Sequence, residues 1–104
     1  MNVYDPAGMT VQSSEGSGTS VLQEGKNFKM RVVELEPGGY IPQCEMSSHV
    51  IFYVLNGATE VKVDSGTAML KAGQCMVTGP ATLSMSSESG VRLLGIQIAQ
   101  AETD

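Results

Sequence analysis

The feature that most constrains the fold is a succession of short apolar runs separated by turn residues. From about residue 21 onward, runs such as "FKMRVVEL", "VIFYVL" and "VRLLGIQIA" alternate with breaks that contain glycine. The runs are rich in β-branched residues, and no long helical period passes through them. Strands this short at this regular spacing predict an all-β sandwich or barrel.

Length and charge limit the classes of protein that fit. The 104 residues suffice for one domain with a single core, and the net charge of −5 disfavours nucleic acid and anionic membranes as partners. The sequence has no apolar stretch long enough to span a membrane and no signal-peptide pattern, so we expect a cytoplasmic protein. Cys44 and Cys75 are the only cysteines, which fits free thiols in a reducing compartment, although the sequence leaves a disulfide between them open.

Composition divides the chain into three segments. Residues 1–20 are rich in serine and glycine and predict a flexible N-terminal arm, in which "MTVQ" could add an edge strand. Residues 21–100 are predicted to form the barrel, and residues 101–104 a C-terminal tail. Within the barrel, Asn56-Gly57 and Ser65-Gly66 predict two hairpin turns, because these residue types tolerate positive φ.

The run "VIFYVL" is apolar on both faces of the predicted strand. A strand with one solvent-exposed face should alternate apolar and polar residues, and this one does not. If Val50 and its alternate neighbours face the interior, then Ile51, Tyr53 and Leu55 must be covered by another segment or subunit. The N-terminal arm or a second subunit would supply this cover. We therefore expect a homodimer.

Three short segments, "LEPGG", "FYVLNG" and "LKAGQ", place glycines at Gly38, Gly57 and Gly73. This glycine frame resembles that of the small single-domain, RmlC-like cupins, whose first motif is a Gly, five residues, His-x-His, three or four residues, a Glu, six residues and a Gly. Counting from Gly38 places Cys44 and Met46 at the two histidines. Counting back from Gly57 places Val50 at the glutamate, and the forward count from Met46 agrees.

The second cupin motif is present only in part. It starts at Gly73 and places Ser84 at the family's histidine, while Pro80 lies one place from the motif's proline. The resemblance covers about residues 27–98. It implies a cupin-type double-stranded β-helix, a jelly-roll barrel, in a single domain.

The resemblance also implies a chemistry that these residues do not support. Cupin enzymes of the dioxygenase, isomerase and decarboxylase kinds hold a divalent metal through imidazoles and a carboxylate, whereas this chain offers a thiol, a thioether, an isopropyl group and a hydroxyl. We therefore expect no cofactor. The expected function is small-molecule binding in the barrel or a non-catalytic part in a pathway or regulatory complex; an atypical oxidoreductase, isomerase or lyase is the less favoured interpretation.

Five residues are candidates for the pocket: Tyr40, Cys44, Met46, Val50 and Ser84. Cys44 and Met46 are two apart on a strand and share one face, so they either fill the former metal position or act there. Tyr40 lies an even number of residues from Cys44, so the two would share a strand face, with Tyr40 toward the barrel mouth. There it would either bind a ligand or close the barrel end. Ser84 could donate one hydrogen bond, or be an ordinary polar strand residue.

The alternative is a soft-metal site for Cu or Zn, built from Cys44 and Met46 and completed by His49 if a bulge turns that residue inward. Such a site would suit oxidoreductase or metal-handling activity. Thiol catalysis at Cys44, with His49 or Tyr40 as base, ranks last because no inward carboxylate would orient the base. A solvated His49 and a buried, structural Cys75 are the plainer interpretations.

Overall fold

The computed structural model describes residues 1–64 and 66–99 and is built from antiparallel strands. No helix in this part of the chain is long and apolar enough to cross a membrane. The prediction of an all-β fold is confirmed. In chain order the eight strands are β1 (Ser17–Glu24), β2 (Phe28–Leu35), β3 (Tyr40–Met46), β4 (His49–Val63), β5 (Gly66–Lys71), β6 (Cys75–Thr78), β7 (Ala81–Ser86) and β8 (Val91–Ile98).

The strands form one curled sheet in the order β1-β2-β8-β4-β7-β3, and β5 and β6 also pair with β4. The 15-residue β4 connects the two sides of the sheet. Its first part pairs with β6 and β8, and its second part pairs with β5 and β7. A single long strand therefore turns the corner of the barrel.

The prediction of a hairpin turn at Asn56-Gly57 is wrong. Asn56 and Gly57 lie inside β4, paired with Arg92 and Val91 of β8, and the strand does not reverse there. The register shifts between Val54 and Asn56, and Gly57 has a φ of 81°. This bulge and the positive φ bend the strand around the barrel corner, which uses the same backbone freedom that a hairpin turn would need.

The second predicted hairpin is present. β4 and β5 pair from Ala58 with Lys71 through to Val63 with Gly66, and Asp64 has a φ of 51° at the reversal. Ser65, the other residue of the predicted turn, lies outside the described residues.

The N-terminal segment is attached to the outer face of the sheet. β1 begins at Ser17, so part of the stretch predicted as a loop is strand, and the "MTVQ" segment is not a strand. Val11 is buried, and Arg92 donates hydrogen bonds to three main-chain carbonyls of the segment, at Pro6, Ala7 and Met9. The predicted tail, 101–104, lies outside the described residues.

The hydrophobic core fills one end of the barrel. Its fully buried members include Leu35 from β2, Val54 and Val61 from β4 and Leu93 from β8. Strand alternation sends every second residue of these strands to the interior, so the interior row of each strand continues past the core to the other barrel end. That second end holds the cavity described next.

Candidate functional site

A cavity of about 120 Å³ lies beside the core. The interior-facing residues of three central strands continue from the core into the wall of this cavity. Those in the wall are Val33 and Arg31 on β2, Phe52 and Val50 on β4, and Gly95 and Gln97 on β8. Val33 and Met85 belong to both the core and the cavity wall. The wall is otherwise mostly apolar, as is usual for a site that takes a small organic molecule.

Gly95 creates much of the space. It pairs with Arg31 on one side and with Phe52 on the other, so the three residues lie side by side across three strands. A Cβ atom at this position would lie 3.5 Å from the Phe52 ring and 3.6 Å from Arg31 Cγ. The missing side chain leaves a gap between the ring and the arginine stem.

The residues at the first cupin motif lie together in the cavity wall. Cys44, Met46 and Val50 all line it, and the thiol of Cys44 donates a weak hydrogen bond to Met46 Sδ at 3.9 Å. Val50 is buried, whereas Cys44 is exposed. Because an exposed residue forms part of the wall, the cavity reaches the surface at β3.

Near the histidine position of the second motif, Met85 rather than Ser84 directs its side chain to the cavity. Ser84 is part of the cavity wall, but its neighbours Leu83 and Met85 are the buried side chains of β7. Alternation therefore directs the Ser84 hydroxyl to the other face of the strand. Pro80 lies one place after the position of the motif's proline. If the motif is shifted by this one place, its histidine position moves from Ser84 to Met85, so Pro80 was the sequence feature that could have revealed the shift.

Tyr40 does not line the cavity and is 62% exposed. The pairing of β3 with β7 shifts register between Ile41 and Cys44, so the parity used to predict its position changes within the strand. Ile41 lies in the wall in its place. The shift includes Pro42, which has no N–H to donate to a regular ladder.

His49 and Cys75 both lie away from the cavity. His49 is exposed at the start of β4, and its Nε2 lies near Gly79. The bulge that would have turned it beside Cys44 is not present, because β4 pairs regularly with β8 from His49 to Val54. Cys75 is exposed, so its interpretation as a buried structural thiol is wrong: it pairs with Tyr53 on the outward face of β4.

The sequence interpretation missed two polar residues of the cavity, Arg31 and Gln97. Arg31 is the one charged residue among those that line the cavity, and its Nη2 donates to Gln97 Oε1 at 2.6 Å. Gln97 Nε2 in turn donates to Met46 Sδ at 3.9 Å. The sign in the sequence was the parity of Arg31 with Val33 and Leu35, which assigns it to the interior face of "FKMRVVEL".

Comparison with known proteins gives the fold. No protein-family model and no curated protein matches the sequence. Among solved structures, TT1209 from Thermus thermophilus matches with a TM-score of 0.86 at 19% identity, covering 97% of this chain and 100% of that chain. The Cnp3 cupin domain of Schizosaccharomyces pombe matches with a TM-score of 0.82 at 21% identity, covering 94% of this chain and 74% of that chain.

An RmlC-like cupin from Shewanella frigidimarina also has a TM-score of 0.82, at 15% identity, with coverage of 98% of this chain and 94% of that chain. Likeness over nearly the whole chain to proteins of this class shows that this protein has the cupin fold. At these identities the likeness defines the fold, and the activity has to be argued from the cavity itself.

The cavity does not fit the divalent metal that many cupins hold. Hard and intermediate metals take imidazole and carboxylate ligands, but the two sulfur side chains of Cys44 and Met46 and the isopropyl group of Val50 occupy these places. No cluster of three His, Cys, Asp or Glu residues suited to a metal occurs within residues 1–64 and 66–99. The guanidinium of Arg31, linked through Gln97 to Met46, adds a positive charge that would repel a cation.

Proposed function

We propose that this cupin-fold protein binds a small organic molecule in its barrel cavity without a metal. The supporting observation is the cavity of about 120 Å³, whose wall contains Cys44, Met46 and Val50 at the cupin motif positions. Apolar cavities of comparable size, about 150 Å³, bind molecules as large as benzene. In this proposal the protein acts as a binding or regulatory component, and its two free cysteines fit a cytoplasmic location.

Filling the cavity should abolish binding. Gly95→Val adds an isopropyl group between the Phe52 ring and the Arg31 stem, and Gly95 has no positive φ that a side chain would strain. We expect the affinity for small probes (benzamide, benzoate, hexanamide and hexanoate, measured by ligand-detected NMR) to fall by about tenfold or more, since a volume change of even one methylene group is felt in a packed interior.

Gly66→Val is the matched control. Gly66 is an exposed strand glycine without positive φ, and its new Cβ would make only an ordinary contact with the Val63 carbonyl oxygen at 3.5 Å. Its probe affinities should equal those of the wild type. Unchanged affinities in Gly95→Val would place binding outside the cavity and contradict the proposal.

A soft-metal site for Cu or Zn is the second candidate function, and the 3.9 Å approach of Cys44 Sγ to Met46 Sδ favours it. The exposed position of His49 and the charge of Arg31 count against it. Elemental analysis after loading with Cu(I) or Zn(II) under reducing conditions tests this candidate. Stoichiometric metal that disappears in Cys44→Ser would support it.

We also propose a homodimer formed through the outer face of β4 and β6. The arm occupies the β1–β2–β8 part of the outer face, where Val32 is fully buried, but Tyr53 remains 42% and Val77 65% exposed. These side chains continue an apolar surface with the half-buried Ile51, and a second copy would cover it.

Sedimentation velocity should give a dimer mass at micromolar concentration for the wild type and a monomer mass for Tyr53→Glu/Val77→Glu. The two new charges would be buried without partners in the interface, which is strongly unfavourable. A monomer mass for the wild type across this range would contradict the dimer.

A further inference from the structure

Arg31 carries a charge inside the cavity that no residue in the described part of the chain neutralises. The ion pairs in that part join Lys29 to Glu24 and Arg92 to Glu34. Arg31 Nε is buried without a hydrogen-bond partner, and Nη2 bonds to the neutral amide of Gln97. Of the five N–H donors of the guanidinium, these contacts use one.

Arg92, which lies on the outer face beneath the N-terminal segment, shows what a fully partnered guanidinium looks like in this protein. Arg92 bonds to the Glu34 carboxylate through Nε and Nη2 and to main-chain carbonyls through Nη1. Arg31 is half-buried and its Nε is enclosed; withdrawing a charge from water without a partner is unfavourable, so proteins normally supply a counter-ion at such a position. The contrast indicates that the counter-ion of Arg31 comes from outside the chain.

Gln97 positions the guanidinium without neutralising it. Its Oε1 accepts from Arg31 at 2.6 Å, while its Nε2 donates to Met46 Sδ at 3.9 Å, so the amide links the charge to the part of the wall formed by the cupin motif. A glutamate at position 97 would have provided an internal counter-ion of nearly the same shape. The amide leaves the full positive charge available to a ligand.

The rest of the wall defines the remainder of the ligand. Val50, Phe52, Ile41 and Met85 are apolar, and the volume of about 120 Å³ admits a body close to the size of a benzene ring. One guanidinium with one amide suits a planar monoanion, since a phosphate with its higher charge would need further donors.

We infer that the ligand of this cavity is a small monocarboxylate with a compact apolar body, whose carboxylate pairs with Arg31. This inference rests on the proposed function, that the cavity binds a small organic molecule. It adds the chemical class of the ligand and assigns Arg31 and Gln97 as the residues that select it.

Matched pairs of acid and amide test the charge preference at constant shape: benzoate with benzamide, and hexanoate with hexanamide. Affinities are measured by ligand-detected NMR on the wild type, Arg31→Met, Gln97→Glu and Lys62→Met. At least one acid should bind the wild type about tenfold to a hundredfold more tightly than its amide, which is the usual gain from a hydrogen bond to a charged group.

The variants separate the charge of Arg31 from charge in general. Arg31→Met keeps an apolar stem and removes the guanidinium, and Gln97→Glu supplies a carboxylate from the chain itself; in both variants each acid should bind no more tightly than its amide. Lys62→Met removes one positive charge from an exposed residue that does not line the cavity, and it should keep the preference.

The outcomes distinguish the two proposals. Equal binding of acids and amides to the wild type, with both weakened in Gly95→Val, would overturn the carboxylate inference and leave the proposed function intact. An acid preference that survives Arg31→Met would also overturn the inference. Failure of all four probes to bind the wild type would overturn both.

Discussion

Gly57→Ala should destabilise the protein by about 3 kcal/mol or more, because it combines an unfavourable φ with a steric clash. Gly57 has a φ of 81° within β4, and a Cβ there would overlap the carbonyl oxygen of Gly90 and come within 3.0 Å of Val91 Cα. Both obstacles are backbone atoms, which cannot rotate away as a flexible side chain would. The free energy of unfolding from urea denaturation measures the effect.

Two other glycines separate the contributions. Gly73→Ala meets the same positive φ, 87°, but has nothing within 4 Å, so it should cost only about 1–2 kcal/mol. Gly95→Ala has neither the positive φ nor a contact closer than 3.5 Å and should change stability by less than about 1 kcal/mol. A Gly57→Ala variant no less stable than Gly73→Ala would show that β4 does not pass the Gly90 carbonyl as described.

Arg92→Met should lower the free energy of unfolding by about 3 kcal/mol, since it leaves a partly buried carboxylate without its partner. The two side chains of the Arg92–Glu34 pair are 15% and 29% exposed, and Arg92 also holds the N-terminal segment through the carbonyls of Pro6 and Met9. We therefore expect residues 1–16 to become sensitive to limited proteolysis at concentrations of protease that leave the wild type intact.

Lys29→Met is the control for Arg92→Met. It removes a pair with Glu24 whose side chains are 36% and 59% exposed, and such surface pairs contribute at most about 1 kcal/mol. Equal stability losses in the two variants, or an Arg92→Met protein with unchanged proteolysis, would contradict the assignment of Arg92 as the attachment of the arm.

The sequence was sufficient for the fold, and it selected three residues that lie in the cavity wall, whose part in ligand binding stays a prediction. The all-β fold followed from the spacing of apolar runs, and counting between Gly38 and Gly57 selected Cys44, Met46 and Val50, three neighbours in the cavity wall. Both inferences use features that survive the replacement of individual side chains, namely the spacing of apolar runs and the positions of glycines.

The misplaced residues trace to backbone irregularities that side-chain patterns do not reveal. The register shift between Ile41 and Cys44 changed the parity of Tyr40, and the bend at Gly57 resembled a hairpin turn. Arg31 was passed over for a different reason. Its significance comes from a neutral partner and an unsatisfied Nε, which only the packed structure shows.

The most direct test of the central claim, that the cavity is a small-molecule site, is NMR of the protein labelled with carbon-13 in the methionine methyl groups. Met46 and Met85 line the cavity, and Met69 is 64% exposed on β5 as an internal control. Titration with benzoate, benzamide, hexanoate and hexanamide should shift the Met46 and Met85 signals saturably, for at least one probe, and leave Met69 unchanged. If no probe moves Met46 or Met85, or if Met69 shifts alone, the cavity is not the binding site and the account is wrong.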